Sequence, residues 1–227
     1  MNKAHLLGLF LFATTALTAQ SNLSGTYGYQ LDPPANTGND KDAKGGSGKL
    51  VLLKMDGNKY RFWLDVSIGW PSYNTGETDG TITFVNDTAS FDNTHEDAIT
   101  PCMLRFKKTG NAIEVKSYSS AYTCGFADGV KAAGTYTWLS SQPALNNAWL
   151  RIEYYDAPFI SITAAKAELF QDETFQHPFT KKQYLNKDDK VLAVAETENS
   201  YYTEFINPQG GFIYGWIKKS AAKKIGE

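Results

Sequence analysis

The sequence predicts an all-β protein, and three observations lead to that prediction. Apolar and polar residues alternate along several segments, which is the pattern of a strand with one buried face. Asp-Gly-Asn and Thr-Gly-Asn turns separate pairs of such segments, as they do in β-hairpins. Aromatic residues make up 14% of the chain and there are 19 glycines, a composition that suits packed sheets and tight turns. We expect an antiparallel up-and-down barrel followed by a second, smaller barrel.

The first residues of the chain predict a secretory signal peptide. A short polar start with Lys3 precedes an apolar stretch over residues 6–13, and small residues follow up to Ala19. A charged start, an apolar run and a small-residue cleavage site come in this order in signal peptides. The apolar run is shorter than the roughly 20 residues that span a bilayer. We therefore expect residues 1–19 to be removed and the mature protein to be periplasmic or secreted; a buried N-terminal helix is the alternative.

The balance of charges narrows the classes of partner. The chain has 22 Lys and Arg residues against 24 Asp and Glu residues, a formal net charge of −2. Nucleic-acid binding needs a basic surface, so this balance argues against a nucleic-acid partner. No segment after the signal peptide is long and apolar enough to predict membrane insertion.

A series of short strands predicts the first domain, over residues 20–140. A strand at residues 24–29 precedes a polar segment over 33–48, which we expect to be a long loop. Residues 50–55 and 60–68 flank an Asp-Gly-Asn turn and predict a hairpin. The inward positions of its second strand are Tyr60, Phe62, Leu64, Val66 and Ile68.

The same patterns continue to the end of this domain. Residues 81–85 and 89–91 predict two short strands on either side of a polar turn. Residues 102–107 and 113–116 predict a second hairpin, and residues 134–138 a last strand. Successive antiparallel hairpins indicate an up-and-down barrel that is closed or nearly closed, because closure removes exposed strand edges.

The two cysteines, Cys102 and Cys124, are expected to form a disulfide. Export brings the chain into an oxidising compartment, where such a pair usually joins. A metal site is the alternative, but two thiols without nearby histidines make a poor zinc site. Because Cys102 lies on the apolar face of its strand, the disulfide should line the barrel interior. We expect neither a metal nor any other cofactor.

The strand pattern breaks over residues 141–157, which we predict to connect two domains. Residues 140–147 contain Pro143 and two asparagines, which interrupt a strand. Residues 149–155 are rich in aromatic side chains and predict a strand that packs between the domains. The C-terminal domain would then occupy residues 158–227.

Four segments of the C-terminal domain resemble the bacterial SH3 family. Ala-Glu-Leu-Phe at 167–170 looks like its opening strand. Residues 184–191 look like its Tyr-Leu-x-Lys-Gly-Asp-x-Val segment, with Asp188 where the family has glycine. Residues 200–205 are similar to its central strand and residues 214–217 to its closing Gly-Trp-Ile strand. The match runs in the family's order through most of the domain and implies a small SH3-like barrel.

The first domain resembles small periplasmic β-barrel domains, with a lipocalin-like or lysozyme-inhibitor-like appearance. The resemblance rests on Cys102-x-Leu-x-Phe, Cys124-Gly-Phe-x-x-Gly-Val and Gly134-x-Tyr. It implies a lipocalin-like barrel as the fold. A fold can carry many functions, so this likeness alone does not indicate what the domain binds.

The residues that carry catalysis in other proteins do not form a recognised constellation here, and we expect no enzymatic activity. His95 is followed by Glu96 and Asp97, which indicates either a metal or base site or an ordinary solvated loop. The sequence lacks the Gly-x-Ser-x-Gly and His-Glu-x-x-His motifs. A pair of carboxylates needs no proximity in sequence, so a carboxylate-dependent hydrolase is an alternative.

Two sets of aromatic residues are the predicted binding residues. Trp70 and Tyr73 lie in a polar segment over residues 69–80, which we predict to be a loop. Large rings in such a loop are either binding anchors or a plug over the barrel mouth. The SH3 resemblance implies that a second set lines a groove for extended peptides, the alternative being packing between the domains. That set is Tyr184, Tyr202, Tyr214 and Trp216.

Together these observations predict a binding or adaptor protein whose SH3-like domain contacts cell-wall peptide or a protein partner. An inhibitor or immunity protein that blocks a cell-wall hydrolase or toxin is the first alternative. A carboxylate-dependent hydrolase is the second. The sequence gives no oligomeric state.

Overall fold

A computed structural model describes residues 22–38, 40–95, 99, 101–118, 124–142, 145–207 and 209–225. These residues are all-β apart from one short helix and a 3₁₀ turn, which confirms the predicted all-β class. No helix within the described ranges has the length and apolar character needed to cross a membrane. The predicted signal peptide, residues 1–19, lies outside the described residues and stays a prediction.

Eight antiparallel strands form a nearly closed barrel, as predicted. The strands are β1 Gly25–Gln30, β2 Ser47–Lys54, β3 Lys59–Ser67, β4 Thr75–Thr83, β5 Thr88–Asp92, β6 Met103–Thr109, β7 Ala112–Ser117 and β8 Gly134–Ser140. Their order is β4-β3-β2-β1-β8-β7-β6-β5, so β1 pairs with β8. Among the described residues, β4 and β5 pair only at their turn, through a bridge between Val85 and Thr88. The barrel is therefore open along the rest of this seam.

Side chains fill the interior of the barrel. The inward positions predicted for β3 are confirmed at four buried residues: Tyr60, Phe62, Leu64 and Val66. The fifth, Ile68, is 37% exposed because β3 ends at the preceding residue. The ring of Phe62 lies 5.1 Å from that of Phe106 and 5.0 Å from that of Phe91, between centroids. These rings give the barrel a packed core at the positions where a lipocalin-like fold would line a ligand cavity.

The prediction of a loop over residues 69–80 is wrong in its second half, because strand β4 begins at Thr75. Two inward positions of this strand, Gly76 and Gly80, are glycines, so residues 75–80 lack the apolar alternation of a strand. A side chain on Gly76 would collide with the ring of Phe126, and one on Gly80 with the ring of Phe91. Rings from other parts of the chain thus fill the space that β4 itself leaves empty.

The predicted disulfide between Cys102 and Cys124 is confirmed. Both cysteines belong to the barrel core, as do Phe126 and Val130 in the segment that follows. This segment has no regular secondary structure, and its buried side chains cover one end of the barrel. The disulfide therefore ties an irregular segment to strand β6.

The prediction of a strand over residues 149–155 is wrong, because a helix, α1 Asn147–Glu153, occupies most of this segment. The side chain of Asn146 accepts hydrogen bonds from two backbone N–H groups of the first turn, which is a standard N-cap. Leu150 is fully buried and Trp149 half-buried in a second hydrophobic core. Of the aromatic residues that indicated a strand, Trp149 lies on the helix and Tyr154 caps its C-terminus, whereas Tyr155 is 72% exposed.

The C-terminal domain consists of a five-stranded antiparallel sheet and a two-stranded one. The strands are β9 Phe159–Ile162, β10 Lys166–Glu168, β11 Tyr184–Asn186, β12 Lys190–Glu196, β13 Ser200–Ile206, β14 Phe212–Lys218 and β15 Ala222–Lys224. The larger sheet has the order β14-β13-β12-β9-β15, and β10 pairs with β11. A 3₁₀ turn, Lys219–Ala221, leads into β15. The segments that resemble the SH3 family thus contain the strands β10, β11, β13 and β14.

Asp188, which stands where that family has glycine, occupies the turn between β11 and β12. Its φ is +70°, in the left-handed region that glycine adopts without steric cost and aspartate tolerates better than most residues. Its backbone N–H donates to the carbonyl of Ile162 at 2.9 Å. The turn therefore has the backbone conformation that favours glycine, although the residue differs.

The outer face of the barrel is part of the second hydrophobic core. Val51 and Leu53 point out of β2, are at most 1% exposed and cluster with Ile160 of the C-terminal sheet. The backbone N–H of Asp56 donates to the hydroxyl of Tyr214 at 3.1 Å. The two domains thus share an apolar contact.

Candidate functional site

Trp70 and Tyr73 lie in the connection between β3 and β4, which we call the Trp70 loop (residues 68–74). The backbone N–H of Trp70 donates to the carbonyl of Lys44 at 2.8 Å. The N–H of Lys44 in turn donates to the hydroxyl of Tyr73 at 3.3 Å. Trp70 is half-buried, whereas the ring of Tyr73 is 42% exposed. The loop is thus held to the neighbouring long loop and still presents Tyr73 to solvent.

The four predicted aromatic residues of the C-terminal domain lie in three different environments. Tyr214 is 7% exposed and faces the barrel, where its hydroxyl accepts a hydrogen bond from the backbone N–H of Asp56. Tyr202 and Trp216 are cross-strand neighbours whose ring centroids lie 5.3 Å apart. Tyr184 is 39% exposed on β11, with the ammonium group of Lys166 at 5.5 Å from its centroid. The structure brings only Tyr202 and Trp216 of this set into ring contact.

Two further rings extend this pair into a line of four, which we call the aromatic strip: Phe175, Phe170, Trp216 and Tyr202. The centroids of Phe175 and Phe170 lie 5.4 Å apart. Phe170 and Trp216 exchange two backbone hydrogen bonds, of 3.0 and 2.9 Å. All four side chains are half-buried, and the first three belong to neither hydrophobic core of the described residues. Tyr202 packs against the second core, so the other three rings form an aromatic surface outside both cores that Tyr202 joins to the second core.

A turn centred on Asp172 positions the ring of Phe175. The Asp172 carboxylate accepts hydrogen bonds from Thr174 and from the backbone N–H of His177, the latter at 2.8 Å. The hydroxyl of Thr174, followed by the contacts with His177, holds the pKa of Asp172 well below its usual range. Phe175 has a φ of +63°, which is strained for a large side chain. The ammonium group of Lys218 lies 5.3 Å from its ring.

The composition of the aromatic strip determines which groups it can bind. Flat rings offer a large contact area at a small cost in side-chain entropy, so they suit extended peptides with apolar or proline residues. Phe170 and Phe175 were not among the predicted site residues. Phe170 closes the Ala-Glu-Leu-Phe motif, and Phe175 follows in a polar loop; an isolated ring in such a loop was the signal available in the sequence.

A buried group of charges, which we call the Arg61 cluster, lies where the barrel meets α1 and β13. It consists of Arg61, Asp79, Glu153, Tyr154 and Glu204. The guanidinium of Arg61 forms an ion pair with Asp79, donates to the hydroxyl of Tyr154 at 3.0 Å and lies 4.0 Å from Glu153. Glu204 of β13 is 5% exposed, and its Oε2 atom has no hydrogen-bond partner among the described residues. The cluster thus places three carboxyl groups around one guanidinium.

Burial and the closeness of other carboxylates raise the pKa values of two glutamates in the Arg61 cluster. Desolvation, the nearby charge of Asp79 and a hydrogen bond with Asp79 raise the pKa of Glu153 to about 7. Desolvation also raises the pKa of Glu204, and Arg61 opposes that shift. Perturbed carboxyl groups occur in catalytic sites and in structural ion-pair networks alike. Here they lie at the contact between two domains.

The raised pKa of Glu153 predicts a loss of stability as the pH increases. A carboxyl group that binds its proton more tightly in the folded state stabilises the fold below its unfolded pKa of 4.5, and this contribution is lost as the pH rises through about 7. We expect Glu153→Gln to be more stable than the wild type near pH 8, by about 1 kcal/mol after solvent screening. Urea unfolding at about pH 5 and pH 8 measures the difference.

Glu173→Gln is the matched control, because Glu173 is exposed on the loop that carries Phe175. This variant should follow the wild type at both pH values. If Glu153→Gln showed the same loss of stability between the two pH values as the wild type, Glu153 would not be the titrating group.

Comparison with known proteins does not assign the chain to a family. No family model, curated protein or solved structure matches the chain. The resemblances to bacterial SH3 domains and to lipocalin-like barrels therefore stay predictions. The hypothesis of a site at His95 also stays untested, since Glu96 and Asp97 lie outside the described residues.

Proposed function

We propose that the chain is an exported, non-enzymatic binding protein whose C-terminal strands form an SH3-like barrel. In this proposal the aromatic strip contacts cell-wall peptide or a segment of a protein partner. The observation that carries it is the line formed by Phe175, Phe170 and Trp216, which lies outside both hydrophobic cores. Large aromatic side chains that the fold does not need for its core are typical anchors of binding surfaces.

The strip is also pre-organised, which supports a role in binding. The Asp172 turn and the backbone pairing of Phe170 with Trp216 fix the rings before any ligand arrives. A rigid surface loses little entropy on association, so more of the contact energy appears as affinity. The strained backbone of Phe175 fits the same role, since strain is often retained where function requires it.

Binding to purified peptidoglycan sacculi tests the proposal. We expect the wild-type protein to pellet with sacculi and Trp216→Ala to bind about tenfold more weakly, because truncation of a central aromatic anchor commonly costs at least 1.4 kcal/mol. Trp138→Ala is the matched control, since Trp138 is 45% exposed on the barrel. If the wild-type protein stays in the supernatant, cell-wall peptide is ruled out as the ligand, and a segment of a protein partner is left as the proposed ligand.

A second variant separates the loss of the binding surface from a loss of folding. Phe175→Gly removes a ring of the aromatic strip while glycine adopts the φ of +63° without strain. We expect weaker binding with a thermal unfolding midpoint close to that of the wild type. Unchanged binding by both Phe175→Gly and Trp216→Ala would exclude the aromatic strip as the site.

The Trp70 loop supports a second candidate function, an inhibitor or immunity protein for a cell-wall hydrolase or toxin. The loop is anchored through Lys44, and it exposes Tyr73 in a left-handed conformation with a φ of +53°. A rigid, exposed loop of this kind can enter the cleft of an enzyme. Tight binding to a lysozyme that is lost in both Trp70→Ala and Tyr73→Ala would favour this function.

The alternative function of a carboxylate-dependent hydrolase would require a catalytic pair of carboxylates, and the Arg61 cluster contains neighbouring carboxylates. Glu153 and Asp79 share one counter-charge, because the guanidinium of Arg61 forms an ion pair with Asp79 and lies 4.0 Å from Glu153. Their position between two domains supports a structural role. Turnover in a screen of glycoside and peptide substrates, abolished by Glu153→Gln, would overturn the proposal of a non-enzymatic protein.

The disulfide between Cys102 and Cys124 supports export, because such bonds persist mainly outside the reducing cytosol. In this proposal the signal peptide is cleaved after Ala19. The mass of the protein recovered from the periplasm or the medium tests it, and the expected chain begins at Gln20. A mature protein that retains its first residues would overturn the predicted cleavage site.

A further inference from the structure

Two positive side chains stand directly opposite each other on the outer face of the hairpin formed by β6 and β7. Arg105 of β6 is the cross-strand partner of Lys116 of β7, and both are exposed. Like charges at opposed positions destabilise a sheet, so this pair is unfavourable for folding. Glu114 offsets it in part through an ion pair with Lys116 of 3.3 Å. No acidic side chain of the described residues forms a salt bridge with Arg105 or with Lys107.

Arg105 also lies between two depressions in the surface. The smaller, about 200 Å³, is lined by Lys107, Glu114, Lys116 and Tyr118 in addition to Arg105. The larger, about 680 Å³, runs along β5 and contains Asp92, Met103 and Val85. Arg105 and Tyr118 line both depressions, which makes them a continuous surface. We call this surface the Arg105 face.

The charges of the Arg105 face leave an excess of positive charge. Three cations, Arg105, Lys107 and Lys116, face the carboxylates Glu114 and Asp92. The Asp92 carboxylate is already engaged, because it accepts hydrogen bonds from the backbone and the hydroxyl of Thr94 at 3.0 and 2.7 Å. A bound anion would relieve the repulsion between the opposed cations, and the guanidinium of arginine matches a carboxylate through two parallel hydrogen bonds.

Apolar side chains lie next to these cations. Tyr118 is 59% exposed, Val85 61% and Met103 38%, and all three line the larger depression. A surface that combines an excess of positive charge with exposed apolar groups favours a ligand that carries both a carboxylate and an apolar side chain. An acidic peptide has this composition. Long polyanions such as nucleic acids fit less well, because two carboxylates stand beside the three cations and would repel a backbone that carries a charge at every nucleotide.

We propose that the Arg105 face binds an acidic, extended segment of a protein partner. A carboxylate of the segment lies between Arg105 and Lys116, and an apolar side chain packs against Tyr118 and Met103. The site is independent of the aromatic strip, since it is formed by strands of the barrel and not by the C-terminal domain.

Fluorescence anisotropy of a labelled peptide of alternating glutamate and leucine tests the site on the full mature chain. We expect binding at low ionic strength that weakens as salt is added, because the ion pairs lie at the surface. The variant Arg105→Gln/Lys116→Gln should bind about tenfold more weakly. Lys59→Gln/Lys223→Gln is the matched control, since it removes the same charge from exposed positions elsewhere and should bind as the wild type does.

The stability of the variant provides an independent measurement. The variant removes a repulsion between opposed cations, and the ion pair of Lys116 with Glu114 that it also removes is exposed and contributes little. The thermal unfolding midpoint of Arg105→Gln/Lys116→Gln should therefore be equal to or above that of the wild type. Equal binding by this variant and the wild type would overturn the proposal, as would an equal loss in the control variant. Displacement of the peptide by equimolar inorganic phosphate or single-stranded DNA would assign the face to anions in general and reject the acidic segment.

Discussion

Replacing Arg61 with methionine is expected to lower the free energy of unfolding by about 3 kcal/mol near pH 8. Arg61 provides the positive charge that faces three carboxyl groups, those of Asp79, Glu153 and Glu204. Methionine keeps much of the length of the side chain and its apolar packing but leaves these carboxylates uncompensated. Removal of one partner from a buried ion pair typically costs about 3–5 kcal/mol, because the remaining charge stays in a poorly solvated site.

The lower end of that range applies because the side chains of Asp79 and Glu153 are each 25% exposed, so water screens them in part. Urea unfolding followed by tryptophan fluorescence measures the loss. The loss should be smaller at about pH 5, since Glu153 is protonated below its raised pKa of about 7 and then needs no counter-charge.

Two controls separate the effect of the Arg61 charge on stability from the effect of its packing. Arg105→Met removes an exposed arginine of the same barrel and should change the stability by less than about 0.5 kcal/mol. The double variant Arg61→Met/Glu204→Gln should recover part of the loss, because it also removes a buried carboxylate that Arg61 had compensated. A loss from Arg61→Met that is equal at both pH values would mean that packing, and not charge, explains the effect.

Most of the barrel could be predicted because its signals are local. Alternating residues around Phe62 and a turn between two apolar runs specify a hairpin without reference to the rest of the chain. Only the end of β4 was predicted, and residues 75–80 were missed for a physical reason: their inward positions include Gly76 and Gly80, and the rings that fill this space come from Phe126 and Phe91. A strand whose inner face is completed by distant residues has no apolar alternation of its own.

The helix α1 was missed because aromatic content outweighed a capping signal. Asn146 precedes the helix and is a favoured N-cap residue, and the alanine, tryptophan, leucine and arginine that follow are compatible with a helix. A helix of seven residues is marginal on its own. It is stabilised by the burial of Leu150 in the second core, which a local pattern cannot reveal.

The candidate sites depend on contacts between distant segments, so the sequence predicted them only in part. The pairing of Tyr202 with Trp216 follows from a hairpin, and both residues were predicted. The contact of Phe175 with Phe170 depends on a left-handed backbone in a loop, which no pattern in the sequence indicated. The Arg61 cluster joins residues of β3, β4, α1 and β13, and only the packing of the C-terminal domain on the barrel brings them together.

Removal of the disulfide is expected to destabilise the protein by about 3 kcal/mol. Cys102 and Cys124 are separated by 22 positions, and a cross-link over that distance restricts the unfolded chain by about this amount on the loop-entropy model. The double variant Cys102→Ala/Cys124→Ala keeps small apolar side chains in the barrel core and avoids a buried hydroxyl. Urea unfolding of the variant and of the oxidised wild type measures the difference.

Dithiothreitol provides the control for this prediction. It should lower the stability of the wild type to that of the double alanine variant, and it should leave the variant unchanged. If the loss were below about 1 kcal/mol, the segment after Cys124 would be held in place mainly by Phe126 and Val130, which are buried in the barrel core. Phe126→Ala would then have the larger effect, because truncation of a buried phenylalanine costs about 3–5 kcal/mol whether or not the cross-link is present.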